Sequence, residues 1–498
     1  MAAFPNLLVN SSAGRLVNQI PFPMFRKSLI ILSALFCLAA TAWAEGRAKY
    51  VFYFIGDGMG VNQVNGTQTY LAALEGRIGI KPICFTQFPY AALVTTYSGT
   101  NGVTDSAAAG TALATGCKSK NGTLGLLADQ TTSVTSIAVW AQQAGAAVGV
   151  STSVSVDHAT PAAFYAHQAG RGSYYAIGTD LVKAGFDFYA GSDFLQPTDK
   201  DHPSTPSLYD QCSQAGYTIA RGYKDFQKKD RKADKMLLLQ TEAASQRNRK
   251  CLPYAIDRTK SDMTLAEITR AGITHLTKAA KDGFFLMVEG GKIDWACHSN
   301  DVATAFREVI DMDQAVQVAY EFYAQHPDET LIVITADHET GGIVLGRGPY
   351  ELHTDLLRFQ QMSADAYSEH LRDLHKSKGD KLTWDLVWRD LQKNWGFGTN
   401  VQISDHQKER LQKNFERMMS GKSDDKKSLY ASVDRLTDSA REIMAECALV
   451  GWQSGGHSNG YVPAFAIGVG AEQFHGQIDN TEIPVMIAKA AGWAVPKQ

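Results

Sequence analysis

Five short runs of apolar, β-branched and aromatic residues punctuate the chain: Tyr50 to Ile55, Ala146 to Ser151, Phe284 to Val288, Leu331 to Thr335 and Ala464 to Val469. Their nearly unbroken hydrophobicity predicts strands covered on both faces. Between them, apolar positions recur at helical spacing, as in TLAEITRAGITHLTKAA (Thr264 to Ala280) and ATAFREVIDMDQAVQVAYEFYAQ (Ala303 to Gln325). Strands alternating with helices predict an α/β fold, a large central, mostly parallel sheet with helices on both faces. From 352 to 450 the strand-like runs disappear, and stretches such as ISDHQKERLQKNFERMMSG and DSAREIMAECALV, with Trp384, Trp388 and Trp395, predict a mainly helical insertion. That insertion is expected to serve as extra packing, a crown over the site or an interface, within a single α/β domain spanning 45–498.

The N-terminal pattern is different. From Met24, MFRKSLIILSALFCLAATAWAEG has a basic start, an apolar stretch from Leu29 to Ala42, and an Ala42-Trp43-Ala44 cleavage signature. This is the layout of a secretory signal, 24–44, with cleavage expected after Ala44. The apolar run is shorter than the roughly 20 residues a membrane span needs, so no permanent anchor is expected. Residues 1–23 precede a second methionine and read as a misassigned start, and bulky Phe36 before Cys37 argues against a lipoprotein site. The expected location is periplasmic or secreted.

In that setting Cys84, Cys117, Cys212, Cys251, Cys297 and Cys447 can oxidise, and six cysteines allow 15 pairings among which the sequence does not choose. No C-x-x-C spacing supports a cysteine zinc site. A net charge of -3 over 498 residues, without a long basic block, gives no footprint for nucleic acid, so none is expected as a partner.

Polar residues gather where the predicted strands end. Asp57 sits between glycines in IGDGMG after the first strand. Glu289 opens EGGKIDWACHSND, in which Asp294 and His298 are four apart and share one face if the segment is helical. In ADHETGG, Asp337 and His338 are adjacent, and can share an ion only if the strand stops before them, as Gly341 and Gly342 allow. His457 lies in the glycine-rich loop SGGHSNG. Each motif alone also reads as a turn, a surface pair or a loop histidine. Together they point to a site for several divalent ions, since zinc accepts His nitrogen and carboxylate oxygen, and paired ions serve in-line phosphoryl displacement. In VTDSAAAGTA, Asp105-Ser106 reads either as a helix cap or as a nucleophile at a helix's positive end. DHATPAAFYAHQAGR supplies a cation, Arg171.

The ordered set IGDGMG, TDSAAAGTA, HATPAAFYAHQAGR, VEGGKIDWACH, TADHETGG and GGHSNG resembles the alkaline phosphatase family, from residue 51 to about 470, leaving out only the helical insertion. The resemblance implies an alkaline-phosphatase-like fold and a phosphomonoesterase with two Zn2+ ions and one Mg2+ ion. It implies Ser106 as the nucleophile that becomes phosphoserine, and Arg171 as the grip on two phosphoryl oxygens. It further implies Asp294, His298 and His457 as ligands of one zinc, Asp57, Asp337 and His338 of the other, and Asp57, Thr160 and Glu289 of the magnesium. Asp105, His158 and Trp295 would stand just behind these groups. His158 replaces an Asp of some members, which leaves open whether the third ion is magnesium or zinc. Trp295 replaces a Lys or His and offers phosphate no charge, so faster product release is expected. Small-molecule phosphomonoesters as substrates and a homodimer follow from the same resemblance. The remaining histidines, among them His167, His202, His275 and His475, read as structural, and Cys297 as a packed thiol.

Other readings share the fold. A diesterase fits poorly with Arg171, which rewards a dianionic monoester. A sulfatase fits poorly with the missing C/S-x-P-x-R setting, and a phosphoglycerate mutase with the export signal. A silent metal- or phosphate-binding protein would not need both Ser106 and Arg171.

Overall fold

β1 (Tyr50–Ile55, YVFYFI) is buried along all but its first residue, because the run has no polar face to turn to water. The computed structural model describes residues 46–422 and 425–497; the predicted signal, 24–44, lies outside them. One sheet unites β1 with β2 (Tyr90–Thr95), β3 (Ala147–Thr152), β4 (Phe188–Gly191), β5 (Tyr217–Arg221), β6 (Lys235–Leu239), β7 (Phe284–Glu289), β8 (Thr330–Thr335), β9 (Val462–Gly468) and β10 (Gly476–Asp479). Its order is β10-β2-β9-β8-β1-β7-β3-β4-β6-β5. β9 alone runs against its neighbours, β2 and β8; every other pairing is parallel.

All five predicted strands are present, with ends within two residues of those expected. The other five carry weaker signals. β4 and β10 are only four residues long. β2, YAALVT, alternates because one of its faces meets solvent.

Helices cover the sheet: α1 (Val61–Leu74), α2 (Ser106–Thr115), α3 (Leu265–Ala279), α4 (Lys292–His298) and α5 (Val302–Tyr323). α3 starts where Thr264 and Glu267 form a reciprocal capping box. Among the described residues no helix is long and apolar enough to cross a membrane.

Beyond Leu352 come α6 (Ala364–Lys378), α7 (Trp384–Trp395), α8 (Asp405–Met419) and α9 (Arg435–Cys447). They build a second hydrophobic core around Tyr367, Trp395, Phe397 and Leu411, joined by Val302, Ala303 and Phe306 of α5. Between α8 and α9 a small antiparallel ladder, Lys426–Lys427 against Ser432–Val433, makes a short arm in this otherwise helical region. All six cysteines are free thiols, so the expected readiness to pair is not realised in this structure. Cys297 is fully buried under Gln63, whose amide is 3.9 Å from its sulfur.

Candidate active site

The register of the central strands levels their carboxyl ends. Ile55 at the end of β1 pairs with Glu289 of β7 and Thr335 of β8. Asp57, Glu289 and Asp337 therefore emerge side by side, the usual place for function in an open α/β sheet. Gly58, at φ +73°, lets the chain turn after Asp57; a Cβ there would lie 2.8 Å from the Asp294 backbone. β8 stops at Thr335, freeing Asp337 and His338 from the strand alternation that would have separated them. Asp294 and His298 lie one turn apart on α4. β9, being antiparallel, starts at this same end and delivers His457, which pairs with Thr340 in a two-residue ladder.

Ser106 is the first residue of α2 and fully buried. Asp105 is its N-cap: one carboxylate oxygen accepts from the N–H groups of Ala108 and Gly122, each at 3.0 Å. The other accepts from the Arg171 guanidinium at 2.9 Å. Burial alone would raise the Asp105 pKa, but Arg171 and these N–H groups hold it below the usual carboxylate range. The helix cap is thus also the device that ties the cation to the serine. The cap and nucleophile readings of this segment are compatible.

Three imidazoles line the site, His338 against Ser106 and His298 and His457 against Asp294. His298 Nδ1 donates to Gly455 O at 2.6 Å and His457 Nδ1 to Thr104 O at 2.8 Å. Thr340 Oγ1 donates to Asp294 at 2.6 Å, so His338 Nδ1, 3.2 Å from that hydroxyl, donates to it. With every Nδ1 donating, each Nε2 presents a lone pair. His298 and His457 Nε2 are 3.1 Å apart, and they stand 3.3 and 3.6 Å from the Asp294 carboxylate. His338 Nε2 is 3.3 Å from Ser106 Oγ, 3.4 Å from Asp57 and 3.3 Å from Asp337. Two lone pairs facing each other repel unless a cation lies between them.

The carboxylates repeat the pattern. Both oxygens of Asp57 and one each of Glu289, Asp294 and Asp337 are buried without a hydrogen-bond partner, as is the Thr160 hydroxyl. Burial, then Asp337, Asp294 and Glu289, push the Asp57 carboxyl well above its ordinary range. Burial and Asp294 raise Asp337 too, and burial lifts Glu289 to about 7. Asp294 moves the other way: burial opposes, but His298, His457 and His338 draw it down. Like charges sealed together in this way fit divalent cations. Potential ligand atoms cluster three times: Asp294, His338 and His457; Asp57, Asp337 and His338; and Asp57, His158 and Glu289. His338 belongs to two clusters, and His298 adjoins the first through His457 and Asp294. His158 enters the third with its Nδ1 unpartnered; burial and Arg171 lower its pKa to about 3, leaving it neutral. Three clusters that share residues are consistent with a multi-metal site.

A family model described as alkaline phosphatase matches residues 48–185 and 188–493. The chain belongs to the alkaline phosphatase family. Alkaline phosphatase 3 of Bacillus subtilis is 31% identical over 491 residues, covering 94% of this chain and 97% of that one. Among solved structures, a cold-active alkaline phosphatase from a psychrophilic Shewanella superposes with TM-score 0.74 at 29% identity, covering 90% of this chain and 100% of that one. The Thermus thermophilus alkaline phosphatase gives TM-score 0.73 at 26% identity, with 92% and 95% covered. The protein is an alkaline-phosphatase-type hydrolase with family-level phosphomonoesterase activity.

Sequence reasoning missed three contributors to this alkaline phosphatase site. Thr340 bridges Asp294 and His338. Glu339 accepts from Gln63 and Gly342, fixing the turn after His338. Tyr430, from the arm between α8 and α9, stacks on Trp295 and reaches Arg171. The first two lie inside a motif and could have been suspected; nothing in KSLYAS marks Tyr430. Of the histidines read as structural, His275 is buried against Asp230 at 2.6 Å and His167 bonds Val134 O at 3.0 Å.

Proposed function

We propose that this chain is an exported alkaline phosphatase that hydrolyses phosphate monoesters to alcohol and inorganic phosphate through a phosphoseryl intermediate on Ser106. The supporting observation is the clustering of imidazole nitrogens with partnerless buried carboxylates, joined to the Ser106 hydroxyl through His338, with Arg171 tethered to the helix of Ser106 through Asp105. Asp294, His298 and His457 would hold one zinc, Asp57, Asp337 and His338 the second, and Asp57, Thr160 and Glu289 magnesium. His158, clustered with Asp57 and Glu289, also makes zinc acceptable at the third position. Bound there, the ions supply Lewis acidity toward the attacking and leaving oxygens.

Arg171 holds two non-bridging oxygens in its planar fork, which orients the phosphorus toward Ser106. Ser106 Oγ attacks in line, the bond to the alcohol oxygen breaks, and the alcohol leaves protonated. Water then displaces Ser106 from phosphorus and releases inorganic phosphate. The N-terminus of α2 favours negative charge on the phosphoryl group throughout. Neutral Trp295 adds no attraction for the product, consistent with ready release; the reading fails if Trp295→Lys leaves phosphate inhibition and turnover unchanged.

The decisive assay compares p-nitrophenyl phosphate, its bis-ester and p-nitrophenyl sulfate, with and without chelator and with zinc and magnesium restored. Preferred turnover of the monoester, lost on chelation and recovered with metal, is expected. Preference for the bis-ester or the sulfate overturns the reading.

A further inference from the structure

Tyr430 belongs to none of the motifs, yet its side chain reaches the centre of the site. Its ring lies on Trp295, with centroids 4.2 Å apart and planes 10° from parallel, and stands edge-on to His298 at 5.5 Å. His158 is 5.9 Å away on a third side. The phenol oxygen accepts an N–H from Arg171 at 3.3 Å. The arm that carries it is held on both flanks. Arg372 donates to Asp425 at 3.0 Å and to Ser432 O at 2.9 Å, and Ser428 meets Ser299 hydroxyl to hydroxyl at 3.3 Å. The turn closes through Ser428 N to Ala431 O at 2.9 Å.

A phenol that accepts from a guanidinium still has its own O–H to give. Among the described residues, that hydrogen meets no acceptor. It is therefore an oriented, uncommitted donor beside the cation that grips phosphate, next to a Trp that offers phosphate nothing. Resting on the phosphomonoesterase reading above, we propose that Tyr430 is a phosphoryl-binding residue whose O–H donates to a non-bridging oxygen of the bound phosphoryl group while its oxygen keeps Arg171 in place. The helical region would then contribute one substrate contact to an otherwise α/β site. The Trp295 stack sets the ring plane, so the donor is aimed in advance of binding.

The test measures inorganic phosphate binding by calorimetry on the zinc- and magnesium-loaded protein, for wild type, Tyr430→Phe and Tyr430→Ala, with melting curves as the fold control. Phe keeps the ring on Trp295 and removes only the hydroxyl. A hydrogen bond to a charged oxygen predicts a phosphate Kd weakened about tenfold in Tyr430→Phe, with kcat/KM for p-nitrophenyl phosphate falling in step. A loss of roughly threefold or more in both supports the proposal. A smaller loss overturns it, and a defect confined to Tyr430→Ala would assign the residue to ring packing alone. A wild-type protein that binds phosphate but turns over no monoester defeats the parent reading, while the Phe comparison still decides the Tyr430 contact.

Discussion

The carboxyl ends of the strands and the helical region beyond Leu352 differ in how far they gather partnerless buried polar groups into one place. At the strand ends Asp57, Glu289, Asp294 and Asp337 each keep a buried oxygen with no partner. In the helical region many polar groups are satisfied locally: Ser363, Ser404 and Asp434 accept N–H groups as caps of α6, α8 and α9, and Arg410 pairs with Glu446 at 3.2 Å. An unsatisfied buried polar group costs about 1–3 kcal/mol, more when charged. In the helical region partnerless buried atoms such as Asp365 Oδ1 and Trp395 Nε1 join no cluster of potential metal ligands among the described residues, whereas the strand-end carboxylates do, and that clustering is built to receive cations that offset the cost. Tyr430 is where the two meet.

Ser106→Ala probes this contrast with the largest effect. Among the described residues the hydroxyl's one hydrogen-bonding partner is His338 at 3.3 Å, so removing it is expected to cut monoester turnover by about a thousandfold or more with little change in melting temperature. Steady-state assays and thermal melts on the same preparation check both halves. Retained turnover would remove the nucleophile assignment.

Chelation separates the regions next. Stripping metal is expected to abolish turnover and lower the melting temperature by several degrees, because the buried carboxylates lose their counter-charge. In the stripped protein, Asp57→Asn relieves repulsion from Asp337, Asp294 and Glu289 and should raise the melting temperature. In the loaded protein the same change should lower activity. If Asp57→Asn destabilises the stripped protein, the like-charge account is wrong.

Glu308, on α5 between the two cores, gives a smaller and pH-dependent effect. Burial and then Asp311 raise its carboxyl from 4.5 to about 7. The folded state binds the extra proton, so this group's contribution to stability declines as pH rises from about 4.5 to about 7. Glu308→Gln removes that decline. Its melting temperature relative to wild type should therefore rise between about pH 5 and about pH 8, by a few degrees. A pH-independent difference would show that the proton is not retained.

The smallest effect belongs to the helical region alone. Ser404→Ala removes the α8 cap and half of its capping box with Gln407, worth about 0.5–2 kcal/mol and only about 1–2 °C in so long a chain. Turnover should not change. A loss of phosphatase activity in Ser404→Ala would mean that the helical region is coupled to the site by more than Tyr430.

Much of the sheet was legible because its central strands are hydrophobic on both faces. YVFYFI and TLIVIT are uniform enough that buried strand is the natural reading. The shorter β4 and the half-exposed β2 give no such signal, although β2 leads directly to the Ser106 loop. The candidate ligand residues were legible because most sit within a few residues of a strand end, several amid glycines that mark a turn. Their number and types pointed to metal, and the motif resemblance assigned roles.

The sequence by itself determined the strand cores, the cap at Asp105, the spacing that puts Asp294 and His298 on one turn, and the choice of oxygen and nitrogen donors, all of which depend on near neighbours in the chain. Only the tertiary structure decided that antiparallel β9 brings His457 to the same end as His338, that Asp105 links Arg171 to the serine helix, and that Tyr430 crosses from the helical region to Arg171. Those contacts join residues 66, 119 and 259 positions apart. No local periodicity encodes a pairing at that separation, because it is fixed by sheet order and by how the two cores pack.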